Sequence, residues 1–320
     1  MKKLVVLDAD SLKPSDLDLA VWNHTDLEIE IHPFTDAKDL PERVAGAHAI
    51  LLNKAVITRD IIESTPKLEL IAVTATGTNN IDIEAAKENG VRVVNAVNYG
   101  TQSVVQHTLA LMFSLAGSLT SYNHDVRSGQ WSKSQFFCEL SHPIYELPEL
   151  TLGVIGYGVL GQEVARQAQL LGMKVMVAQS LRANDEQVGR VPLNQLLTQA
   201  DVITIHTPLT DQTRGLIGRR ELELMKPSAL LINVARGGIV DEQDLVAFLN
   251  CGGLGGFATD VMAQEPPDQN HPLFSVSHPN VIVTPHMAWG SRIARQNVVN
   301  QMAEDLHNWL ENRPLEREVR

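Results

Sequence analysis

The sequence predicts an α/β protein of two domains, each built around a doubly wound parallel sheet. Short runs rich in Val, Ile and Leu alternate with helical patterns in the first third of the chain, and a second alternating series begins at Leu152. Alternating strands and helices produce a parallel sheet that helices cover on both faces. A last helical segment, 291–312, follows the second series and can return to the first domain.

Chain length supports the same division. At roughly 150 residues per domain, 320 residues predict two domains. We expect residues 1–98 and 288–320 to form one discontinuous domain. Residues 99–287 are then a continuous domain.

The first series contains four predicted strands and two predicted helices. The strands are 4–9, 48–53, 68–75 and 91–96, and the helices are 36–45 and 83–89. The second helix is expected to stop at Asn89-Gly90, because glycine tolerates the left-handed conformation. Residues 101–119 are predicted as one long apolar core helix, followed by an irregular segment over 120–150.

The second series has six predicted strands. They are 151–158, 173–179, 201–207, 229–236, 255–261 and 280–286. Helical patterns separate them at 161–171, 192–200, 219–225 and 241–250. This order is typical of a full doubly wound sheet.

Composition excludes several partner classes. The chain has 38 acidic and 26 basic residues, a formal net charge of −12, which argues against nucleic acid and anionic membrane as main partners. The apolar run after Lys2 and Lys3 stops at Asp8, so it is shorter than the roughly 7–15 apolar residues of a secretory signal. Two cysteines fit a reducing compartment. We expect a soluble cytoplasmic protein and predict no metal site.

A glycine-rich loop is the first candidate binding site. Gly156, Gly158 and Gly161 form the pattern GxGxxG between an apolar strand and a helix. In a Rossmann-like domain the first glycine makes the tight turn, the second admits a pyrophosphate, and the third packs the helix on the strand. A glycine-rich turn without a ligand is the alternative, but the strand–loop–helix context favours a nicotinamide dinucleotide. We therefore expect residues 99–287 to be the dinucleotide-binding domain, and residues 1–98 and 288–320 to be the substrate domain.

The next strand leaves the choice of dinucleotide open. An acid commonly ends this strand and bonds the ribose 2′-OH, but here Gln179 stands at that place. A neutral Gln bonds a hydroxyl without repelling a 2′-phosphate, and Ser180 and Arg182 can contact such a phosphate. Arg182 is equally well explained as a solvated loop charge. We favour NAD(H) and keep NADP(H) open.

Charged side chains follow later strands of the same series. Arg236 follows the strand near 230, Asp260 the strand near 257 and His286 the last strand, while Glu265 lies in the loop beyond Asp260. Ligands bind at the carboxyl ends of parallel strands, so these groups are expected to converge. Taken singly, each has a structural explanation: a hydrogen-bonded loop histidine, a capping arginine, a Glu-Pro-Pro turn.

Together these side chains suit the reduction of a 2-oxo acid. Arg236 can bind a carboxylate and a developing alkoxide, because its guanidinium is planar and always charged. A histidine titrates near neutral pH, so His286 can give the carbonyl oxygen its proton and take it back. Glu265 can orient the imidazole and fix its tautomer.

Seven ordered segments resemble one known family. They are ATGTNNID (75–82), SVVQH (103–107), TLGVIGYGVLGQ (151–162), HTPLTDQTRGLIG (206–218), MKPSALLINVARGGIVDE (225–242), DVMAQEPP (260–267) and TPHMAW (284–289). With them the chain resembles the D-isomer-specific 2-hydroxyacid dehydrogenases over nearly its whole length. The run 286–289 resembles the glycerate dehydrogenase and hydroxypyruvate reductase subgroup.

The resemblance implies a role for each matched residue. It makes Arg236 the substrate-binding arginine, His286 the proton donor and Glu265 its partner. Further substrate contacts are implied at Asn53, Lys54, Thr76 and Gly77. Cofactor contacts are implied at the three loop glycines and at Val159, Leu160, Gln179, Thr207, Pro208, Val234, Ala235, Arg236, Asp260 and His286, with Asp260 meeting the nicotinamide amide. The resemblance also implies a homodimer through the helix near 101–119, and hydroxypyruvate/D-glycerate as substrate pair.

Two other functions are alternatives for this chain. NAD-sensing corepressors share the fold but carry interaction tails and recognition surfaces, and this chain offers no basic patch. A dehydrogenase of a phosphorylated hydroxy acid would need several basic residues near the 53–54 and 76–79 loops. Only Lys54 and Arg59 lie near them in sequence.

Overall fold

The computed structural model describes residues 1–180 and 188–319. The chain divides into two compact units, Met1–Gly100 with Trp289–Arg320, and Thr101–Ala288. The predicted boundaries after residues 98 and 287 fall within two residues of these divisions.

The first unit contains a five-stranded parallel sheet. Its strands are β1 (Lys2–Val6), β2 (Leu27–Ile31), β3 (Ala49–Leu52), β4 (Leu70–Val73) and β5 (Arg92–Asn95), in the order β2-β1-β3-β4-β5. Its helices are α1 (Leu40–Val44), α2 (Arg59–Glu63), α3 (Ile83–Glu88) and the C-terminal helix Arg292–Leu310. Two apolar cores are built on this sheet, and the C-terminal helix contributes to one of them.

Two elements of this unit were absent from the sequence prediction. The edge strand β2 alternates apolar residues with Glu28 and Glu30, and only Leu27 in it is buried. Such a half-exposed strand lacks the continuous apolar run that marks the buried strands β3 and β4. The short helix α2 was also missed, and the helix predicted over 36–45 is only the five residues of α1. The helix stop at Asn89-Gly90 is confirmed, because Gly90 has a φ of 70°.

The second unit contains a six-stranded parallel sheet, and all six predicted strands are confirmed. They are β6 (Thr151–Ile155), β7 (Lys174–Val177), β8 (Val202–Ile205), β9 (Leu230–Asn233), β10 (Gly256–Thr259) and β11 (Val281–Val283), in the order β11-β10-β9-β8-β6-β7. The helices are α4 (Thr101–Ala116), α5 (Leu119–Arg127), α6 (Val159–Leu170), α7 (Leu193–Gln199), α8 (Arg219–Leu224) and α9 (Glu242–Asn250).

The prediction of one helix over 101–119 is wrong at its end, and part of 120–150 is helical. The chain breaks between α4 and α5 at Ser118, which is buried and has a φ of 48°. The Ser118 hydroxyl donates to the carbonyl oxygen of Pro143 at 2.7 Å. The Tyr145 amide donates to the carbonyl oxygen of Ala116 at 2.8 Å. These tertiary hydrogen bonds stop a helix that apolar periodicity alone would continue.

The strand order of the second sheet reverses at β6, which lies between β8 and β7. In open α/β sheets such a reversal opens a crevice at the carboxyl ends of the strands. The loops that follow β6, β7, β8, β9, β10 and β11 leave that edge, and they carry the site residues predicted for this unit. Across residues 1–180 and 188–319, no helix combines the length and apolarity needed to span a membrane.

Candidate active site

His286 and Glu265 form a hydrogen-bonded pair in the second unit. His286 Nδ1 lies 2.6 Å from Glu265 Oε2, and both side chains are about one-third exposed (29% and 31%). Glu265 Oε1 accepts the amide proton of Met262 at 2.9 Å, which fixes the carboxylate. An ionised Glu265 requires the proton on Nδ1, so Nε2 is the ring nitrogen that can exchange a proton with a substrate.

The turn that carries His286, residues 284–288, is clamped by hydrogen bonds to Asp260. The side chain of Asp260 is almost wholly buried. Asp260 Oδ1 accepts from the amide of Met287 at 2.9 Å and from the hydroxyl of Thr284 at 2.6 Å, and Oδ2 accepts from the amide of Ala288 at 2.8 Å. His286 itself has a φ of 51°, which is uncommon outside glycine.

The clamp is strong enough to hold this conformation. A left-handed residue other than glycine costs about 1–3 kcal/mol, whereas each hydrogen bond to a charged group contributes about 1.5–3 kcal/mol. Three such bonds to Asp260 therefore outweigh the strain at His286. Sequence reasoning gave Asp260 only a nicotinamide contact and missed this clamp, although an acid directly after a largely apolar strand was a usable signal.

Arg236 follows β9 in a loop that Asn233 supports. The Asn233 side chain accepts from the Ala235 amide at 3.1 Å and donates to the carbonyl oxygen of Arg236 at 2.9 Å. The Arg236 guanidinium is exposed, and its Nη1 donates to the carbonyl oxygen of Ala235 at 2.7 Å. That bond uses one of five donors, so the guanidinium can still bind an anion.

The glycine loop has the geometry that a dinucleotide pyrophosphate requires. A Cβ on Gly161 would lie 2.0 Å from the carbonyl oxygen of Gly156, and one on Gly156 would lie 2.6 Å from the backbone of His206 and Thr207. Gly158 faces open space, with no described atom within 4 Å of a Cβ built on it.

The helix that follows the loop is open to an anion. Helix α6 begins at Val159, and among the described residues no side chain caps it. The amides of Val159 and Leu160 in its first turn can therefore bind a phosphate. The residues of this loop and helix fit the cofactor.

Thr207 and Pro208 lie in the loop after β8, at the carboxyl edge of the same sheet. The preceding residue, His206, has a buried Nδ1 without a hydrogen-bond partner in the described part of the chain. Burial lowers the pKa of the His206 imidazole to about 4. The ring is therefore neutral at neutral pH, and it adds no charge beneath the glycine loop.

The strand end that is predicted to contact the ribose is described only in part. The amide of Gln179 donates to the carbonyl oxygen of Val191 at 2.8 Å, while Arg182 lies outside the described residues. The Arg190 guanidinium lies 5.4 Å from the centroid of the Tyr157 ring, which belongs to the glycine loop. Sequence reasoning missed this cation, because nothing in the pattern links residue 190 to residue 157.

In the first unit, the loop of Asn53 and Lys54 is held by a second buried carboxylate. Asp8 accepts the amide protons of Asn53, Lys54 and Ala55 at 2.7, 2.6 and 3.1 Å. The Asn80 side chain donates to the carbonyl oxygens of Asn53 and Ala55. Both Asp8 and Asn80 were missed from the sequence, and together they fix the backbone of this loop.

Thr76 and Gly77 follow β4 at the carboxyl edge of the same sheet. The Thr76 hydroxyl donates to the carbonyl oxygen of Ala96 at 2.9 Å, and the side chain of Asn95 donates to the carbonyl oxygen of Thr76 at 2.7 Å. The predicted substrate residues of the first unit thus lie on two loops of one sheet edge.

Comparison with known proteins identifies the chain. Residues 109–288 match the NAD-binding domain of the D-isomer-specific 2-hydroxyacid dehydrogenases. The glycerate dehydrogenase of Methylorubrum extorquens is 42% identical over 313 residues, covering 98% of each chain. The chain belongs to the D-isomer-specific 2-hydroxyacid dehydrogenase family.

Two further proteins are similar to this chain over nearly its whole length. The hydroxypyruvate reductase of Blautia hydrogenotrophica is 33% identical over 98% of each chain. The D-lactate dehydrogenase of Aquifex aeolicus, solved with NAD and lactic acid, has a TM-score of 0.82 and 27% identity, covering 97% of this chain and 96% of that one. As a D-2-hydroxyacid dehydrogenase, the protein is an NAD-dependent oxidoreductase that acts on the CH–OH group of small 2-hydroxy acids.

Proposed function

We propose that this enzyme interconverts hydroxypyruvate and D-glycerate. The observation that carries the chemistry is the His286–Glu265 pair, whose side chains lie 2.6 Å apart. His286 stands on the turn that Asp260 clamps. The substrate is supported by similarity to a glycerate dehydrogenase and to a hydroxypyruvate reductase. Hydroxypyruvate, reduced nicotinamide and one proton give D-glycerate and oxidised nicotinamide, and glyoxylate is a second acceptor.

His286 supplies the proton of this reaction. The bound nicotinamide supplies or accepts the hydride, and the residues of the chain control charge around the carbonyl. During reduction His286 Nε2 donates its proton to the carbonyl oxygen, and in oxidation it removes that proton. Glu265 stabilises the imidazolium that donates, and holds Nδ1 so that Nε2 faces the reacting oxygen. Arg236 binds anionic oxygen and stabilises the alkoxide as it forms.

We propose NAD(H) as the preferred cofactor, with NADP(H) also accepted. The glycines 156, 158 and 161, the amides of Val159 and Leu160, and the segments 207–208 and 234–236 would hold the dinucleotide. Asp260 would accept from the nicotinamide amide in addition to clamping the turn. Gln179 supports the broader choice, because a neutral amide does not repel a 2′-phosphate.

We propose Asn53, Lys54, Thr76 and Gly77 as further substrate contacts. The first unit also disfavours a phosphorylated substrate. Arg59, one of two cations near these loops in sequence, is engaged by Glu88 and lies 3.5 Å from Glu63.

We further propose that the enzyme is a homodimer formed through the second unit. Helix α4 exposes Phe113, and helix α5 begins with the exposed Leu119. The segment 131–144 exposes five large apolar side chains, Trp131, Phe136, Phe137, Leu140 and Ile144. Exposed apolar surface of this kind suits a second copy of the chain. Sedimentation velocity that finds only a monomer at micromolar concentration would refute the dimer.

Steady-state kinetics test the proposed function. Hydroxypyruvate, glyoxylate and pyruvate are each assayed with NADH and with NADPH by loss of absorbance of the reduced nicotinamide. We expect the highest kcat/KM for hydroxypyruvate with NADH, and measurable turnover with NADPH. A higher kcat/KM for pyruvate would reject hydroxypyruvate as the preferred substrate. The absence of turnover with NADPH would reject the proposal that NADP(H) is accepted.

A further inference from the structure

A second histidine lies beneath the turn that carries His286. His107 belongs to α4, and its side chain is only 14% exposed. His107 Nε2 lies 3.0 Å from the hydroxyl of Thr284 and 3.6 Å from Oδ1 of Asp260. These two partners are the first residue of the turn and the carboxylate that clamps it.

We propose that His107 is a positioning residue for proton transfer, acting on His286 through Thr284 and Asp260. This inference rests on the proposed function of His286. His107 supports the turn, and His286 remains the proposed proton donor.

The hydrogen-bond directions form an ordered chain. The single hydroxyl proton of Thr284 goes to the Asp260 carboxylate, because that carboxylate can only accept, and the contact is 2.6 Å. Thr284 must therefore accept from His107, which places a proton on His107 Nε2. The imidazole thereby aligns the hydroxyl toward Asp260 and away from the carbonyl oxygen of Thr259, which lies 3.4 Å away.

Helix α4 contacts both ends of the turn. Ser103 lies one helical turn before His107, and residues four apart share a helix face. The Ser103 hydroxyl donates to the carbonyl oxygen of Ala288 at 2.7 Å. His107 thus holds the start of the turn while Ser103 holds its end. The left-handed residue His286 lies between these two supports.

Removing the imidazole should loosen the turn without changing the cofactor loop. In His107→Ala the Thr284 hydroxyl can turn to Thr259, and Asp260 then loses its shortest hydrogen bond. We expect kcat with hydroxypyruvate to fall about 10-fold, which corresponds to about 1.4 kcal/mol in the barrier. The Kd for NADH, followed by fluorescence, should rise by no more than about 2-fold, because α6 and the glycines are untouched and the proposed Asp260 contact to the nicotinamide amide is only one of many cofactor contacts.

Four further variants separate a positioning role from general structural damage. Thr284→Val should lose a similar factor, and the double variant should lose little more, because both changes break one chain. His107→Gln retains an N–H donor and should recover at least about half of the parental kcat. Gln106→Ala is the matched control, because Gln106 is the exposed neighbour on the same helix.

Hydrogen exchange supplies a readout that needs no turnover. The amides of Met287 and Ala288 are bonded to Asp260, so they should exchange about 10-fold faster in His107→Ala than in the parent or in Gln106→Ala. If the parent reduces no 2-oxo acid, the proposed function fails, while the exchange data still decide whether His107 holds the turn.

Two results would overturn the proposal. One is parental exchange at Met287 and Ala288 in His107→Ala. The other is faster exchange with parental kcat, which would make His107 a packing residue without influence on proton transfer. If His107→Ala does not fold, Thr284→Val and His107→Gln are compared instead. An equal loss of kcat in these two variants would contradict the role of His107 as hydrogen-bond donor to Thr284.

Discussion

Gly237 holds the Arg236 loop close to the loop of Glu265, and replacing it by alanine should separate them. A Cβ built on Gly237 would lie 1.9 Å from the carbonyl oxygen of Met262 and 2.4 Å from the amide nitrogen of Ala263. Both neighbours are backbone atoms, so no side chain can rotate away. Ordinary contacts begin at 3.4 Å, so one of the two segments must move by about 1.5 Å.

That movement reaches the proposed catalytic groups directly. Arg236 precedes Gly237, and the amide of Met262 donates to Glu265 at 2.9 Å. A misplacement of about 1 Å can cost roughly 100-fold in rate, which corresponds to about 2.7 kcal/mol in the activation barrier. We therefore expect Gly237→Ala to lower kcat/KM for hydroxypyruvate about 100-fold.

The assay compares Gly237→Ala with Gly218→Ala in steady-state kinetics. A Cβ on Gly218 would make only ordinary contacts, the nearest at 3.4 Å from the Asp244 side chain. The control should stay within about 3-fold of the parent. Circular dichroism establishes that both variants fold. If folded Gly237→Ala also stays within about 3-fold of the parent, this account of how Arg236 and Glu265 are positioned is wrong.

Three further perturbations probe the site and its supports. Arg236→Ala should raise KM and lower kcat, with a combined loss of roughly 100- to 1000-fold; an unchanged KM in steady-state assays would remove Arg236 from substrate binding. Asp8→Asn should lower the unfolding free energy by about 2 kcal/mol in urea titrations, because an amide cannot accept from all three loop amides. Burial lowers the pKa of His206 from 6.5 to about 4, so the unfolded chain binds its proton first and stability falls as pH drops from 6.5 towards 4. Between about pH 7 and about pH 5 the parent should lose about 2 kcal/mol more than His206→Gln, and equal losses in denaturant titrations would refute the shift.

Much of the fold followed from sequence because many of its strands are buried and largely apolar. Strands such as β8, β9 and β10 are buried along their whole length and were predicted close to their observed bounds. Strand β2 carries two glutamates at a sheet edge and escaped prediction. The break at Ser118 depends on a hydrogen bond to Pro143, and helical periodicity contains no sign of that bond.

The proposed reactive groups are recognisable in the sequence as residue types at strand ends, and the contacts that support them are not. Arg236, Glu265 and His286 are chemically distinctive where they stand. The Asp8 clamp joins residues 45 positions apart, and the His107–Thr284 contact joins residues 177 positions apart. Such contacts exist only once the loops meet. Sequence therefore indicates candidate reactive groups more readily than the long-range contacts that hold them.

The most direct test of the account is the rate of proton-coupled reduction in His286→Asn. Single-turnover oxidation of bound NADH by hydroxypyruvate should slow about 1000-fold, a loss within the range of general acid catalysis, while the Kd for NADH stays close to the parental value. His271→Asn is the matched control, because His271 is also paired with a glutamate, Glu242, at 3.1 Å in the same unit, and it should keep the parental rate. Parental turnover in His286→Asn would contradict the assignment of His286 as proton donor.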